Sequence, residues 1–286
     1  MRAIALLLIT LILLPLTLRA QLGAMSQKVE FGLWGGTAHY YGDLAPSLDN
    51  YYQLFQPAFG VFNRININPR IAVKTSINAG RIRGNDAWSP NVFQQSRNLS
   101  FRSLIIEAGT QLEFNFFKYI LDSRSHRFTP YVFIGIAGFY HNPQAELNGE
   151  WYDLQPLGTE GQQFPDYSGR DPYSLFQVAI PYGGGFKFNV SKGFNVALEI
   201  GYRGTYTDYL DDVSTTYIDN GVIEAGQNGG VAAALADRSG EVVDEPIGIE
   251  GTQRGNSQNV DAYIFTGIQI SYTFRSLRCP QPGFSF

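Results

Sequence analysis

Eight long segments in which apolar and polar residues alternate constrain the fold more than any other feature of this 286-residue sequence. A period of two residues is typical of a β-strand with unlike faces. Strands of soluble proteins usually have about 5–6 residues, whereas a tilted strand needs about 9–11 to cross a bilayer. The segments are long enough to cross, which favours a membrane barrel over a soluble β-sandwich. They cover residues 28–41, 53–66, 70–84, 99–117, 129–140, 175–190, 194–207 and 260–274.

The connections between these segments differ in length in a regular way. Outer-membrane barrels have short turns on the periplasmic side and long loops outside the cell. Because lipid tolerates no unpaired strand edge, the strands must close on themselves. The sequence therefore predicts an all-β fold, an eight-stranded antiparallel transmembrane β-barrel in the lipid of the cell outer membrane. Short connections at 67–69, 118–127 and 191–193 alternate with long ones at 42–52, 85–98, 141–174 and 208–259.

The first twenty residues are typical of a secretory signal. Arg2 is followed by an almost wholly apolar run at 3–16, and Ala20 precedes the expected cleavage point. The apolar run is shorter than the ~20 residues of a membrane-spanning helix, so a signal anchor is the weaker alternative. We expect a signal peptide at 1–20, the barrel at 21–274 and a periplasmic C-terminal tail at 275–286.

The less apolar face of each segment, assigned inward, carries eight charged residues. An eight-stranded barrel is just wide enough to be filled by side chains, and buried charges are stable only when paired and hydrogen-bonded. We therefore predict an ion-pair network that fills the barrel. A selective channel is the alternative, but a channel is lined preferentially by one sign of charge. The acids are Glu30, Glu107, Glu113 and Glu199, and the bases are Arg64, Lys74, Lys187 and Arg203.

Little in the sequence suggests catalysis. The net charge of −4 argues against a nucleic-acid partner. A single cysteine, Cys279, supplies neither a disulfide nor a cysteine metal site. Glu107 and Glu113 share one face of a strand but would lie about 20 Å apart at ~3.3 Å per residue, too far to act as a catalytic pair. We therefore expect no enzymatic activity, no cofactor and no small-molecule substrate.

Two groups of residues at strand ends and in loops are weak candidates for a site. Asp208, Asp211 and Asp212 could hold calcium, although their spacing lacks the ligand order of a known calcium loop. A solvated loop or an internal cap is the simpler interpretation of this acidic run. His39 and His141 could meet near the extracellular rim, as a two-histidine metal site or as part of a lipid hydrolase.

Three stretches of the sequence are similar to a known family. They are residues 35–44 (GGTAHYYGDL), 151–162 (WYDLQPLGTEGQ) and 206–217 (YTDYLDDVSTTY). Together they resemble a family of Bacteroidota outer-membrane barrels whose best-known member is PorG, a component of the type IX secretion system. The similarity extends over nearly all of the chain after the signal.

The resemblance implies a non-enzymatic role in protein secretion. In that system PorG associates with a periplasmic ring of PorK and PorN, so PorK/PorN-type ring proteins are the implied partners. The resemblance implies no catalytic residue. Two alternatives stay open: a stand-alone surface barrel that binds a ligand or partner through its long loops, and a lipid-modifying barrel enzyme.

Overall fold

The computed structural model describes residues 28–45, 54–121, 123, 125–226 and 229–274. The predicted signal peptide at 1–20 and the predicted tail at 275–286, with Cys279, lie outside the described residues. Both therefore stay predictions.

Within the described residues, ten antiparallel strands form one sheet, and eight of them make a closed barrel. The eight pair in the order β3-β2-β1-β10-β9-β8-β5-β4, and the pairing of β3 with β4 closes the ring. β6 and β7 form a hairpin beyond the wall, attached to the loop end of β4. The strands are β1 (Lys28–Tyr41), β2 (Gln56–Asn66), β3 (Ile71–Asn85), β4 (Ser100–Asn115), β5 (Phe128–Tyr140), β6 (Pro143–Leu147), β7 (Glu150–Asp153), β8 (Phe176–Ser191), β9 (Phe194–Thr205) and β10 (Ala262–Phe274).

The predicted eight-stranded antiparallel barrel is confirmed. The largest error in a strand end is at the start of β2, predicted at residue 53 and found at Gln56. In the described part of the chain, no helix has the length and apolar character needed to cross a membrane.

The outer face of the barrel is apolar. On β4, Leu104 and Ile106 are exposed, while Ile105 between them is buried. On the opposite side of the barrel, Ile200 of β9 and Ile270 of β10 are 60% and 57% exposed. An apolar surface that encircles the molecule is stable against lipid and unstable against water. The protein is therefore an outer-membrane barrel.

The connections lie at opposite ends of the barrel according to length. Residues 67–70, 116–127 and 192–193 connect strands at the periplasmic end. The described parts of the long loops at 42–55, 86–99, 141–175 and 206–261 lie at the extracellular end. The second long loop contains helix α1 (Val92–Arg97), and the fourth contains α2 (Asn220–Glu224) and α3 (Gly229–Ala236).

The interior of the barrel changes character along its axis. Toward the long loops, Phe139 and Tyr263 belong to an apolar cluster that continues into the loops through buried residues such as Leu210 and Leu235. Toward the short turns, buried charged side chains occupy the interior, with Glu113 wholly inaccessible to solvent, and buried rings such as Phe62 and Tyr131 pack against the cations. The interior of the barrel thus has two layers. An apolar layer lies toward the extracellular end, and an ionic layer lies toward the periplasmic end.

Candidate functional site

The ionic layer is built around Glu113 of β4. Its carboxylate lies 2.8 Å from Nε of Arg64, 2.5 Å from Nζ of Lys187 and 4.0 Å from Nζ of Lys74. All four side chains are at most 4% exposed. Alternation along the strands places them here, because each occupies an inward position of its strand.

Two further acids complete this group. Arg64 contacts Glu30 at 3.2 Å, and Lys74 contacts Glu199 at 2.6 Å. Neutral groups satisfy the remaining oxygen lone pairs: Ser271 donates to Glu30 at 2.7 Å, and Tyr131 donates to Glu199 at 2.6 Å. Such additional hydrogen bonds offset the cost of removing charges from water.

Glu107 and Arg203 form a separate pair closer to the long loops. Nε of Arg203 lies 3.2 Å from Glu107, which also accepts hydrogen bonds from Tyr263 at 2.8 Å and from Asn78 at 2.6 Å. Between this pair and the group around Glu113 is a cavity of about 10 Å³, bordered by Lys74 among others. That volume is about enough for one water molecule. The eight residues predicted to form the network therefore lie in two groups, one of six and one of two.

At the extracellular end, Glu160 connects two of the long loops. Its carboxylate accepts a hydrogen bond from the backbone N–H of Ser214 at 2.9 Å and from the hydroxyl of Thr215 at 2.6 Å. Arg254 approaches the same carboxylate at 3.0 Å. Glu160 lies in the family stretch at 151–162, and Ser214 lies in the family stretch at 206–217. The two stretches therefore bind one another above the barrel.

Arg254 connects the remaining parts of this assembly. Its guanidinium donates to the backbone carbonyls of Asp212 at 2.6 Å and Ala236 at 3.1 Å, and its own carbonyl accepts a hydrogen bond from Arg97. Arg97 also pairs with Asp86 in the second loop, with N–O distances of 2.7 and 2.8 Å. We call the described parts of loops 86–99, 141–175 and 206–261, joined by these contacts, the cap.

Buried carboxyl groups lie where the cap meets the barrel. The hydroxyl of Tyr40 is 2.6 Å from Asp211 and 2.9 Å from Asp261. One hydroxyl has one proton to donate, so one of the two carboxyl groups must itself carry a proton for both contacts to be hydrogen bonds. Burial raises the pKa of both Asp211 and Asp261 well above the usual range for aspartate, and the charge of Asp43 raises that of Asp211 further.

The three aspartates considered as weak metal ligands do not converge. Asp211 contacts Tyr40, whereas Asp212 accepts hydrogen bonds from Thr159 at 2.5 Å and Tyr173 at 2.7 Å. Burial raises the pKa of Asp208 to about 7. Among the residues that the structure describes, no group of three or more histidine, cysteine or acidic side chains is placed to hold a metal ion. The acidic run is part of the cap.

His39 and His141 do not meet. His39 lies on β1 and packs edge-on against Phe55, with ring centroids 4.2 Å apart. His141 follows β5, is wholly buried, and stacks on Tyr173 of the cap at 6.1 Å. β1 and β5 are four strands apart in either direction around the ring. The hypothesis of a two-histidine rim site is therefore wrong, because the two strands lie on opposite sides of the barrel.

We expect the cap to loosen as the pH rises from 6.5 to 8.5. The pKa of Asp208 is raised from 3.8 to about 7, so its stabilising effect is full below about pH 4 and is lost as the pH rises through 7. Burial lowers the pKa of His141 from 6.5 to about 4, so its effect is present above pH 6.5 and is lost only on acidification. Above pH 6.5, the change in the stability of the cap with pH therefore follows the ionisation of its carboxyl groups. For Asp208, the nearby charges of Asp43 and Glu160 oppose that ionisation.

The measurement is the rate at which proteinase K cleaves within 206–261, normalised to an unstructured peptide in the same tube. The rate should rise with pH in the wild type and rise less in Asp208→Asn, which cannot ionise there. An equal slope for the two proteins would contradict the assignment to Asp208.

Comparisons with known proteins give one family and several remote folds. No curated protein matches the chain in sequence. Similar solved structures include Ail, the attachment invasion locus protein of Yersinia pestis, with 9% identity, a TM-score of 0.37, and coverage of 87% of this chain and 100% of that one. Neisserial surface protein A has 8% identity, a TM-score of 0.40, and coverage of 88% and 99%. The N-terminal barrel domain of Pseudomonas aeruginosa OprF has 10% identity, a TM-score of 0.31, and coverage of 87% and 98%.

Likenesses this remote carry no information on what the chain binds. The family match, in contrast, is a match in sequence. It covers residues 6–231, most of the chain. The protein is therefore a member of the family described as a domain of unknown function, DUF6089.

Proposed function

We propose that this protein is a non-enzymatic component of the type IX secretion system that anchors or organises the periplasmic ring complex at the outer membrane. The filled interior carries the proposal. A conduit needs an open bore, whereas here Glu113 and its three cations occupy one layer and the apolar cluster occupies the next. A barrel closed in this way acts through its surfaces. The resemblance to the PorG family supplies the system in which it acts.

The periplasmic rim has the charge expected of a docking surface for an acidic partner. We define this rim as the described residues of 67–70, 116–127 and 192–193, which contain four basic residues and no acidic residue. Lys118 and Lys192 are both exposed. Charge complementarity of this kind directs association and orientation more than it adds affinity. A PorK/PorN-type ring would thus meet the barrel with an acidic face, and the predicted tail at 275–286 would lie at the same end.

Charge reversal at this rim tests the proposal. We expect the double variant Lys118→Glu, Lys192→Glu to recover at least tenfold less ring protein on gentle affinity purification from membranes, because like charges would then face each other. Deletion of the protein should abolish display of secreted cargo at the cell surface. Glu224→Lys, an exposed reversal in the cap, is the matched control and should recover the ring as the wild type does.

The outcome also separates the alternatives. Intact surface secretion after deletion would contradict the secretion role and favour a stand-alone barrel that binds a partner through its loops. That alternative has one observation in its favour, since the loops form a rigidly bonded cap around Glu160 and Arg254. A lipid-modifying enzyme has less support, because His39 and His141 belong to opposite walls.

A further inference from the structure

Three arginines interrupt the apolar outer face at the extracellular ends of β3 and β4. Arg83 of β3 and Arg102 of β4 are directly opposite in the strand register, and Arg81 is opposite Leu104. All three occupy outward positions, because they alternate with the buried residues of the wall. Like charges directly opposite each other in a sheet are destabilising unless something compensates them.

The height of these arginines matches the boundary of the bilayer. Arg81 lies ten residues along β3 from Ile71, whose side chain also points outward. At ~3.3 Å per residue and a strand tilt of about 40°, this separation is about 25 Å, the height of the apolar band of an outer-membrane barrel. The guanidinium groups therefore lie level with the headgroups of the outer leaflet.

The protein supplies little negative charge to Arg81 and Arg102. Among the described residues, neither Arg81 nor Arg102 is within ion-pair distance of a carboxylate. Apart from Arg83, the charged residues of the described part of the chain that border the groove are Arg81, Arg102 and one acid, Glu146. Arg81, Arg102 and Glu146 together carry a net charge of about +1, on a surface that faces lipid.

The groove itself has a volume of about 300 Å³ and two tryptophans in its lining. The guanidinium of Arg102 stacks on Trp151 with its carbon 3.4 Å from the ring centroid, and that of Arg83 lies 4.8 Å from the ring centroid of Trp88. Stacking fixes the plane of a guanidinium. Nε of Arg102 donates to Gln144 at 3.2 Å, which leaves the terminal N–H groups of Arg102 for an anion. Tryptophan also favours the boundary between lipid and water.

We propose that this groove binds the phosphate group of an anionic lipid of the outer leaflet. Arginine's planar set of donors matches phosphate oxygens, and basic clusters at membrane boundaries recognise anionic headgroups. Arg81 and Arg102 bind the phosphate, the two tryptophans border the headgroup, and the acyl chains run down the apolar face below Leu104. This site is independent of the secretion role and stands if that role is wrong.

Native mass spectrometry of the detergent-solubilised full-length protein tests the site. The probes are lipid A with two phosphate groups and the same lipid after enzymatic removal of both phosphates. The wild type should retain the phosphorylated lipid at least tenfold better. The double variant Arg81→Gln, Arg102→Gln should lose that preference, while Lys118→Gln, Lys192→Gln, which removes two charges from the periplasmic rim, should keep it.

Three results decide the matter. Equal retention of the two lipids by the wild type would overturn the proposal, as would an unchanged preference in the arginine double variant. Displacement of the lipid by millimolar inorganic phosphate would show that the site selects a free anion, which also overturns it. Heat-dependent gel mobility identifies folded samples of each variant, so that lost binding is not confused with lost structure.

Discussion

Replacing Glu113 with glutamine is expected to lower the free energy of unfolding of the barrel by about 3–5 kcal/mol, the usual cost of breaking a buried ion pair. The carboxylate is wholly buried, and Arg64, Lys74 and Lys187 all approach it. Without its charge, these three cations lie close together with only Glu30 and Glu199 to balance them. The measurement is urea unfolding in detergent, followed by the gel mobility of unheated samples.

Glu224→Gln is the matched control for this prediction. It makes the same carboxylate-to-amide change at an exposed residue of α2, where we expect less than about 0.5 kcal/mol. Equal stability of Glu113→Gln and the wild type would mean that the cations are not held by this carboxylate. The ionic layer would then not be a structural requirement of the barrel.

Arg254→Met is expected to open the cap while leaving the barrel folded. The guanidinium is 2% exposed, pairs with Glu160, and donates to the carbonyls of Asp212 and Ala236. Its removal leaves a buried carboxylate unpaired, which costs about 3–5 kcal/mol. Because the barrel wall has its own strand pairing, the loss should appear locally, as proteinase K cleavage within 206–261 at unchanged gel mobility of the unheated protein.

The control is Arg238→Met, in the same loop. Arg238 pairs with Glu241 at 2.9 Å, but the two side chains are 17% and 46% exposed, so the pair is worth at most about 1 kcal/mol. Resistance of Arg254→Met to the protease would contradict the central place of Arg254 in the cap. Loss of the barrel in this variant would show that cap and wall fold as one unit.

The barrel could be predicted from the sequence because the alternation of apolar and polar residues is visible within each strand separately. On β4 the sequence from Leu104 to Glu113 alternates, and in lipid the apolar face of such a strand must point outward. The inward positions of Glu107 and Glu113 follow from the same rule. The separation of Glu107 and Arg203 from the other charges does not follow, because it depends on how strands stagger around the ring.

The cap could not be predicted in the same way. Glu160 and Arg254 are 94 residues apart and lie in loops with no periodic pattern. No sequence pattern identifies Asp86 and Arg97 either, although they form a buried ion pair. The resemblance to a known family marked the segments that contain Glu160 and Asp212, and the acidic run was consistent with an internal cap. Neither observation identified Arg254 as the residue that joins the loops.

The ionic layer also limits the order in which this protein can enter a membrane. The cations around Glu113 come from β2, β3 and β8, and Glu30 of β1 takes a hydrogen bond from Ser271 of β10. A partly assembled sheet would therefore carry unpaired charges into hydrocarbon, at a cost of several kcal/mol for each. We therefore expect the barrel to close before it inserts, with β1 and β10 paired before the charged inner face of the sheet is transferred out of water. A chain whose assembly stops before β8 therefore inserts unfavourably, because the charges that Lys187 would balance stay unpaired.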